Sequence, residues 1–225
     1  MGTLGGGDLE KKVIEEAISA IKQGQPRIAS FTLDIEKGKL DMMCGGELEV
    51  YIEPILPDAK LIIFGAGHIT RSLAPLMKKA GFKVSVVKDI PDLLQKEKSP
   101  EIEDLKLTDM EQFAGDLPSN PRTYILLLSR GFSGDKSILN KLLQKDCKYI
   151  GMIGSLRKID AIRRDLQKKG IPEEIFSKLQ APIGLDIGAE TPEEISVSIA
   201  AEIIAAKKGK LGALKKKGVM KNVTG

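Results

Sequence analysis

Two glycine turns and three charged residues carry the types that could do chemistry. The first turn is Cys44-Gly45-Gly46, and the second is Gly65-Ala66-Gly67, followed directly by His68. The charged residues are Lys88, Asp89 and Arg130. A cysteine followed by two glycines can lie on an adaptable, exposed loop, where its thiolate is the nucleophilic and metal-binding form. It can equally be a buried structural thiol. Gly65 permits a tight turn. Gly67 lets backbone approach a phosphate with no side chain in the way, and a helix start just after it favours an anion. His68 is the sole histidine. It can hydrogen-bond a ligand phosphate, move a proton or serve structure alone, but one histidine does not build an ordinary zinc site. Cys147, at the edge of a later strand, reads as structural.

The elements around the second turn explain its place. Leu61 to Phe64 is an unbroken apolar run, suited to a strand buried on both faces of a parallel sheet. Leu73, Leu76, Met77 and Ala80 then recur at helical spacing, and Gly81 is placed to end the helix. Phe82 to Val87 is a second apolar strand, and it runs into Asp89. Strand, glycine turn, helix, strand and acid make the first βαβ unit of a Rossmann-type fold. The ligand implied is a nucleotide or another phosphate-bearing group, with Asp89 near the usual place for a ribose-binding acid. A Rossmann unit that keeps the turn but binds nothing, or binds a protein, is the competing reading. Thr70 stands where the third glycine of G-x-G-x-x-G would be, which predicts looser packing of helix on strand.

The remainder reads as two α/β modules. Asp8 caps a helix whose apolar side is Leu9, Val13, Ala17, Ile18 and Ile21, ended by Gly24. Arg27 to Asp34 is a strand, and Leu40 to Met43 begins a return that the Cys44 turn interrupts. From Leu48 the alternation suits a sheet with one wet face. Residues 57–60 form a linker, so we place the N-terminal module at 1–56 and the Rossmann-like module at 60–209. Residues 92–122 look polar and irregular. Tyr124 to Leu128 is a buried strand; the loop after it places Arg130 either to meet an anion in the crevice or on the surface. A helix follows over 136–145, then a strand over 148–153. Ser155 caps a helix over 156–169, where Arg157 and Lys158 in the first turn hint at a nearby anion. A short helix spans 171–179. Thr191-Pro192-Glu193-Glu194 is a capping box that opens an apolar helix over 195–206.

Composition narrows the function classes. The chain has 225 residues, of which 42% are apolar, enough for a real core. Tryptophan is absent and aromatics make up 4%, so stacking on single-stranded nucleic acid has no support. No stretch approaches the roughly 20 apolar residues of a membrane span. Two distant cysteines make no disulfide framework, and no secretory signal is visible, so we expect a reducing, cytoplasmic setting. The net charge of +4 hides an asymmetry. Seven lysines and no acids lie from Lys207 to Gly225, while the rest carries 28 basic and 31 acidic residues. Residues 210–225 therefore read as a solvated basic tail, or as a contact for an acidic partner.

Longer stretches carry a resemblance. Gly2-Thr3-Leu4-Gly5-Gly6-Gly7 and Cys44-Gly45-Gly46-Glu47-Leu48-Glu49-Val50 resemble the N-terminal module of the XdhC/CoxI family. Gly65-Ala66-Gly67-His68, the run from Tyr149 to Ser155 and the run from Ala181 to Ile195 resemble its C-terminal Rossmann module. The resemblance implies an accessory factor without turnover. Such a protein binds the molybdenum cofactor (molybdopterin), aids its sulfuration with a cysteine desulfurase, and delivers it to an apo molybdenum hydroxylase such as xanthine dehydrogenase. It implies Cys44 as the thiolate ligand of the metal, with Gly45 and Gly46 beside it. Gly65, Gly67, His68, Asp89 and Arg130 would hold the phosphate or nucleotide end. Family members carry a longer stretch before the Gly-Thr-x-Gly-Gly-Gly motif, which marks this N-terminal module as shortened and suggests a homodimer. Thr70, Lys88 and Phe132 depart from the family pattern of glycine, acid and histidine. The alternative is an NAD(P)-dependent oxidoreductase or nucleotide sensor, for which the glycine turn and Asp89 speak and Lys88 would admit a 2′-phosphate.

Overall fold

The structure, a computed structural model, describes residues 2, 4, 7–32, 46–56, 58–89, 102–129 and 131–216. The chain divides into two compact units, Met1–Pro57 and Asp58–Gly225.

In the first unit, α1 (Gly7–Gln23) precedes an antiparallel pair, β1 (Arg27–Thr32) and β2 (Glu47–Ile52). Leu9 and Val13 of α1 pack on Phe31, Leu48 and Val50. The alternation read from Leu48 onward puts Leu48, Val50 and Ile52 on the half-buried side. The helix turns differently from its expected apolar side. Ala20 is buried, whereas Ile18 and Ile21 are 47% and 55% exposed. A pair of short strands offers width only for the Leu9–Val13 line, so the broader stripe of isoleucines has nothing among the described residues of this unit to lie against. The strand and turn expected over 33–45 lie outside the described residues, as do Cys44 and Gly45.

The second unit is a parallel sheet of six strands in the order β5-β4-β3-β6-β7-β8. These are β3 (Ala59–Phe64), β4 (Phe82–Lys88), β5 (Asp104–Leu107), β6 (Asn120–Leu127), β7 (Cys147–Met152) and β8 (Leu179–Gln180). The helices are α2 (His68–Lys79), α3 (Met110–Asp116), α4 (Phe132–Leu142), α5 (Leu156–Lys168), α6 (Pro192–Lys207) and α7 (Leu211–Lys216). The order corresponds to 3-2-1-4-5-6 counted within the unit, the doubly wound Rossmann arrangement. Alternate side chains of each strand go to opposite faces. Leu61, Ile63, Val84, Val86 and Leu126 meet Leu73 and Met77 of α2 and Ile199 and Ile203 of α6. Ile62, Phe64, Ile125, Leu127 and Met152 meet Leu139 and Leu142 of α4 and Ile159 and Ile162 of α5. Leu73 and Met77 are fully buried; each such side chain contributes about 1.5–3 kcal/mol of apolar transfer.

Several boundaries differ from the sequence reading. Residues 102–122, read as irregular, hold β5, α3 and the start of β6. The edge strand has four residues and is only half-buried, so no long apolar run announces it. Helix α3 is short and is capped by Asp109, whose side chain accepts from Gln112 N at 2.7 Å. Helix α4 begins four residues before the expected 136, on Gly131. The segment 173–178 is a 3-10 turn that leads into β8, a strand of two residues. Leu211–Lys216 of the supposed tail is helical. No helix among the described residues is long and apolar enough to cross a membrane.

Candidate functional site

In an open parallel sheet, ligands bind beyond the carboxyl ends of the strands, where strand order reverses. That reversal falls between β3 and β6. A cleft of about 520 Å³ opens there. Gly65, Gly67, His68 and Arg71 line it from the β3–α2 side, Lys88 and Asp89 from the end of β4, Ser129 from the end of β6, and Glu190 and Pro192 from the start of α6.

The two glycines do different work. Gly65 has φ +110°, and a Cβ built there would lie 2.8 Å from Ser129 N and 2.9 Å from the Leu128 carbonyl. The backbone just after β6, at Leu128 and Ser129, therefore closes over it, and the fold itself requires the glycine. Its N–H donates to Val87 O at 2.9 Å. Gly67 sits in ordinary extended backbone (φ −79°, ψ −172°) as the N-cap of α2, with no side-chain cap. A Cβ at Gly67 would meet nothing within 4 Å. The fold does not need that glycine; the open space over it is cleft.

The helix starts around this edge are not equivalent. In α6, Thr191 Oγ1 accepts from Glu194 N at 3.2 Å, and Glu194 Oε2 accepts from Glu190 N and Thr191 N at 2.9 and 3.0 Å. Those backbone bonds to Thr191 and Glu190 hold the Glu194 carboxyl below its usual range. That terminus is closed by its own side chains and is negative. The start of α2 carries no acid and ends in Lys78 and Lys79. Its first turn lines the cleft, and the amides there have no partner within the helix.

Thr70 does not loosen the packing as expected. It is 1% exposed, and its hydroxyl donates to Gly65 O at 2.8 Å. A hydrogen bond thus takes the place of the close contact that a third glycine would give. The last strand-to-helix connection is tied to the core by α6. Glu202, fully buried, accepts from Tyr149 OH and Gly184 N, each at 2.6 Å, and Ser198 Oγ donates to Leu185 O at 2.6 Å. The motif from Ala181 to Ile195 therefore places Glu190 and Pro192 on the cleft.

Of the residues singled out from sequence, Gly65, Gly67, His68 and Asp89 line one cleft; His68 and Asp89 are exposed there. Lys88, beside them, is 5% exposed. Gly46 belongs to the first unit, at the start of β2 with φ +121°. Cys44, Gly45 and Arg130 lie outside the described residues. Burial pushes the Cys147 thiol up, in line with a structural role. The anion hinted at by Lys158 is a protein carboxylate: Lys158 Nζ pairs with Asp135. The sequence reading misses Ser129, taking only Arg130 from the loop after Leu128, and reads the Thr191-Pro192 box as a helix start rather than as part of the site. The rule that each strand's carboxyl end borders the crevice could have found Ser129.

Residues 61–203 match the XdhC Rossmann domain. The chain is 32% identical to the Escherichia coli protein YqeB over 222 residues, 95% of this chain and 40% of YqeB. It is 34% identical over 159 residues to a probable xanthine dehydrogenase subunit from Bacillus subtilis, 71% of this chain and 46% of that protein. The chain thus spans less than half the length of these curated relatives. A crystal structure of a xanthine dehydrogenase from Bacillus halodurans shares the fold, with a TM-score of 0.60 at 22% identity over 93% of this chain and 83% of that one. The domain match covers most of the chain and includes the glycine turn and the capping-box helix, so the chain belongs to the XdhC family, whose Rossmann domain it carries.

Proposed function

We propose that this chain is an accessory protein that binds the molybdenum cofactor and aids its sulfuration and insertion into xanthine dehydrogenase or a related molybdenum hydroxylase. The observation that carries the reading is the open start of α2. Gly67 has space above it that no side chain fills, and the helix end beneath has neither a side-chain cap nor an acid in its first turn. Such an end suits a phosphate, and the pterin part of the cofactor ends in one. When bound, the cofactor brings the metal centre at which the hydroxylase works. Within the second unit the Gly67–Thr70 backbone would hold the phosphate, with Lys88 and Arg71 as neighbouring positive charge on the same cleft; Cys44, which lies outside the described residues, would supply the soft thiolate ligand of the metal. Partners in this reading are an apo hydroxylase and a cysteine desulfurase.

Asp89 favours a second reading. It lies exposed at the end of β4 on the same cleft, where a carboxylate can accept from ribose hydroxyls. Nicotinamide nucleotides are the corresponding ligands. Titration of the full chain with molybdenum cofactor, and separately with NAD(H) and NADP(H), separates the two. Tight cofactor binding that weakens at least about tenfold in Cys44→Ser, the loss of one strong ligand, is the expected result. Nicotinamide binding indifferent to Cys44→Ser would overturn the chaperone reading.

A further inference from the structure

The carboxyl ends of β6 and β7 carry a chain of polar groups that the phosphate cradle does not use. Ser129 follows β6, is half-buried and lines the cleft. Its hydroxyl donates to Oδ1 of Asp135 in the first turn of α4. Lys158, in the first turn of α5, donates from Nζ to Oδ2 of the same carboxylate. Asp135 is 1% exposed. Its own N–H donates to Gly131 O at 3.1 Å, and Lys158 N donates to the Ser155 cap at 3.3 Å. Asp135 and Lys158 are therefore each fixed at a helix start.

A hydroxyl has one hydrogen and two lone pairs; a carboxylate only accepts and an ammonium only donates. The direction of every bond here follows. Lys158 and Ser129 both give hydrogens to Asp135, and Ser129 is left with oxygen lone pairs alone for the cleft. Ser129 also sits beside the glycine turn, its backbone N lying 2.8 Å from where a Gly65 Cβ would be.

We propose that Asp135 and Lys158 hold Ser129 as an obligate acceptor, so that the cleft recognises an N–H or O–H donor close to the phosphate of its ligand. The proposal rests on the cleft being a ligand site and narrows what enters it. The ligand is a phosphate ester whose neighbouring group, a sugar hydroxyl or a ring amine, donates. A bare polyphosphate does not fit, since a second anionic oxygen at Ser129 would meet lone pairs with no proton between them.

The direction can be reversed by substitution. In Asp135→Asn the amide oxygen still accepts from Lys158, the amide nitrogen then donates to Ser129, and the serine hydrogen turns to the cleft. The test measures binding of molybdenum cofactor, NAD+ and NADP+ as organic probes and of inorganic pyrophosphate to the full chain, the last in excess magnesium slightly above neutral pH, where it is fully deprotonated and has acceptors only. The variants are Ser129→Ala, Ser129→Thr, Asp135→Asn and Gly67→Asp. We expect Ser129→Ala and Asp135→Asn each to weaken the organic probe that binds by about tenfold, the worth of one buried hydrogen bond. Pyrophosphate binding stays unchanged or improves in Asp135→Asn, and Ser129→Thr, which keeps the hydroxyl, retains wild-type affinity. Organic-probe affinity unchanged in both Ser129→Ala and Asp135→Asn, with binding lost in Gly67→Asp, would overturn the role of Ser129 and leave the cleft reading standing. Binding of no probe by the wild-type chain would overturn both.

Discussion

Gly67→Asp is expected to leave the protein folded and to weaken binding of a phosphorylated cofactor by about 100-fold, the loss of two charge-assisted hydrogen bonds. The backbone there is ordinary, a Cβ meets nothing within 4 Å, and no side chain caps α2. Aspartate is a preferred N-cap and changes helix stability relative to glycine by only about a few tenths of a kcal/mol. Its carboxylate would take the same first-turn amides that the phosphate needs and would repel the phosphate as well. Gly65→Ala should behave in the opposite way. With φ +110° and the Ser129 backbone 2.8 Å from its Cβ, it should lose about 3 kcal/mol of stability from strain and overpacking. Thermal melts and titrations on the two variants check the contrast. A Gly67→Asp protein that melts as the wild type and binds as the wild type would remove the phosphate from the start of α2.

The second large effect lies beneath the site. Glu202→Leu keeps most of the buried volume but leaves Tyr149 OH and Gly184 N–H, both bound to Glu202, without their acceptor. Buried donors stranded in this way cost about 1–3 kcal/mol each, so urea unfolding should show a loss of about 3 kcal/mol. Glu202→Gln, which keeps one acceptor oxygen, should lose less. Burial, and then the neighbouring Glu202 carboxylate, push the Tyr149 phenol well above its usual range. The folded state therefore keeps a proton that the unfolded state has released, and stability falls as pH rises above about 10. In Glu202→Leu that fall should be shallower. An equal loss of stability in the Leu and Gln variants would mean that packing, not the hydrogen bonds, holds the 181–195 connection.

Much of this molecule is legible in its sequence, and the reasons differ from element to element. Leu61–Phe64 and Phe82–Val87 are visible because a strand buried on both faces has no polar alternation to confuse it. The capping box at Thr191–Glu194 is visible because its bonds are local, three residues apart. The short edge elements β5 and β8 are not visible: with four and two residues, they hold their place through neighbours distant in sequence rather than through pattern. The same limit applies to the site. Gly65 and Gly67 look alike as letters, and only the approach of the Leu128–Ser129 backbone to one of them separates a glycine the fold requires from one that it leaves free. Lys158 announced an anion correctly in kind, but Asp135 lies 23 residues earlier, so no local spacing could name it. The side of α1 read as apolar, with Ala17, Ile18 and Ile21 on it, is wider than the two strands of the first unit cover.

The most direct measurement is an amide NMR titration of the isotope-labelled chain with molybdenum cofactor, repeated with NADP+. If the cleft at the β3–β6 switch point holds the phosphate end, the largest shifts fall on the amides of Gly67, His68, Ile69 and Ser129, saturate together, and vanish in Gly67→Asp. Saturating shifts confined to residues 1–57, with Gly67 and Ser129 unmoved, would contradict the assignment of the cleft.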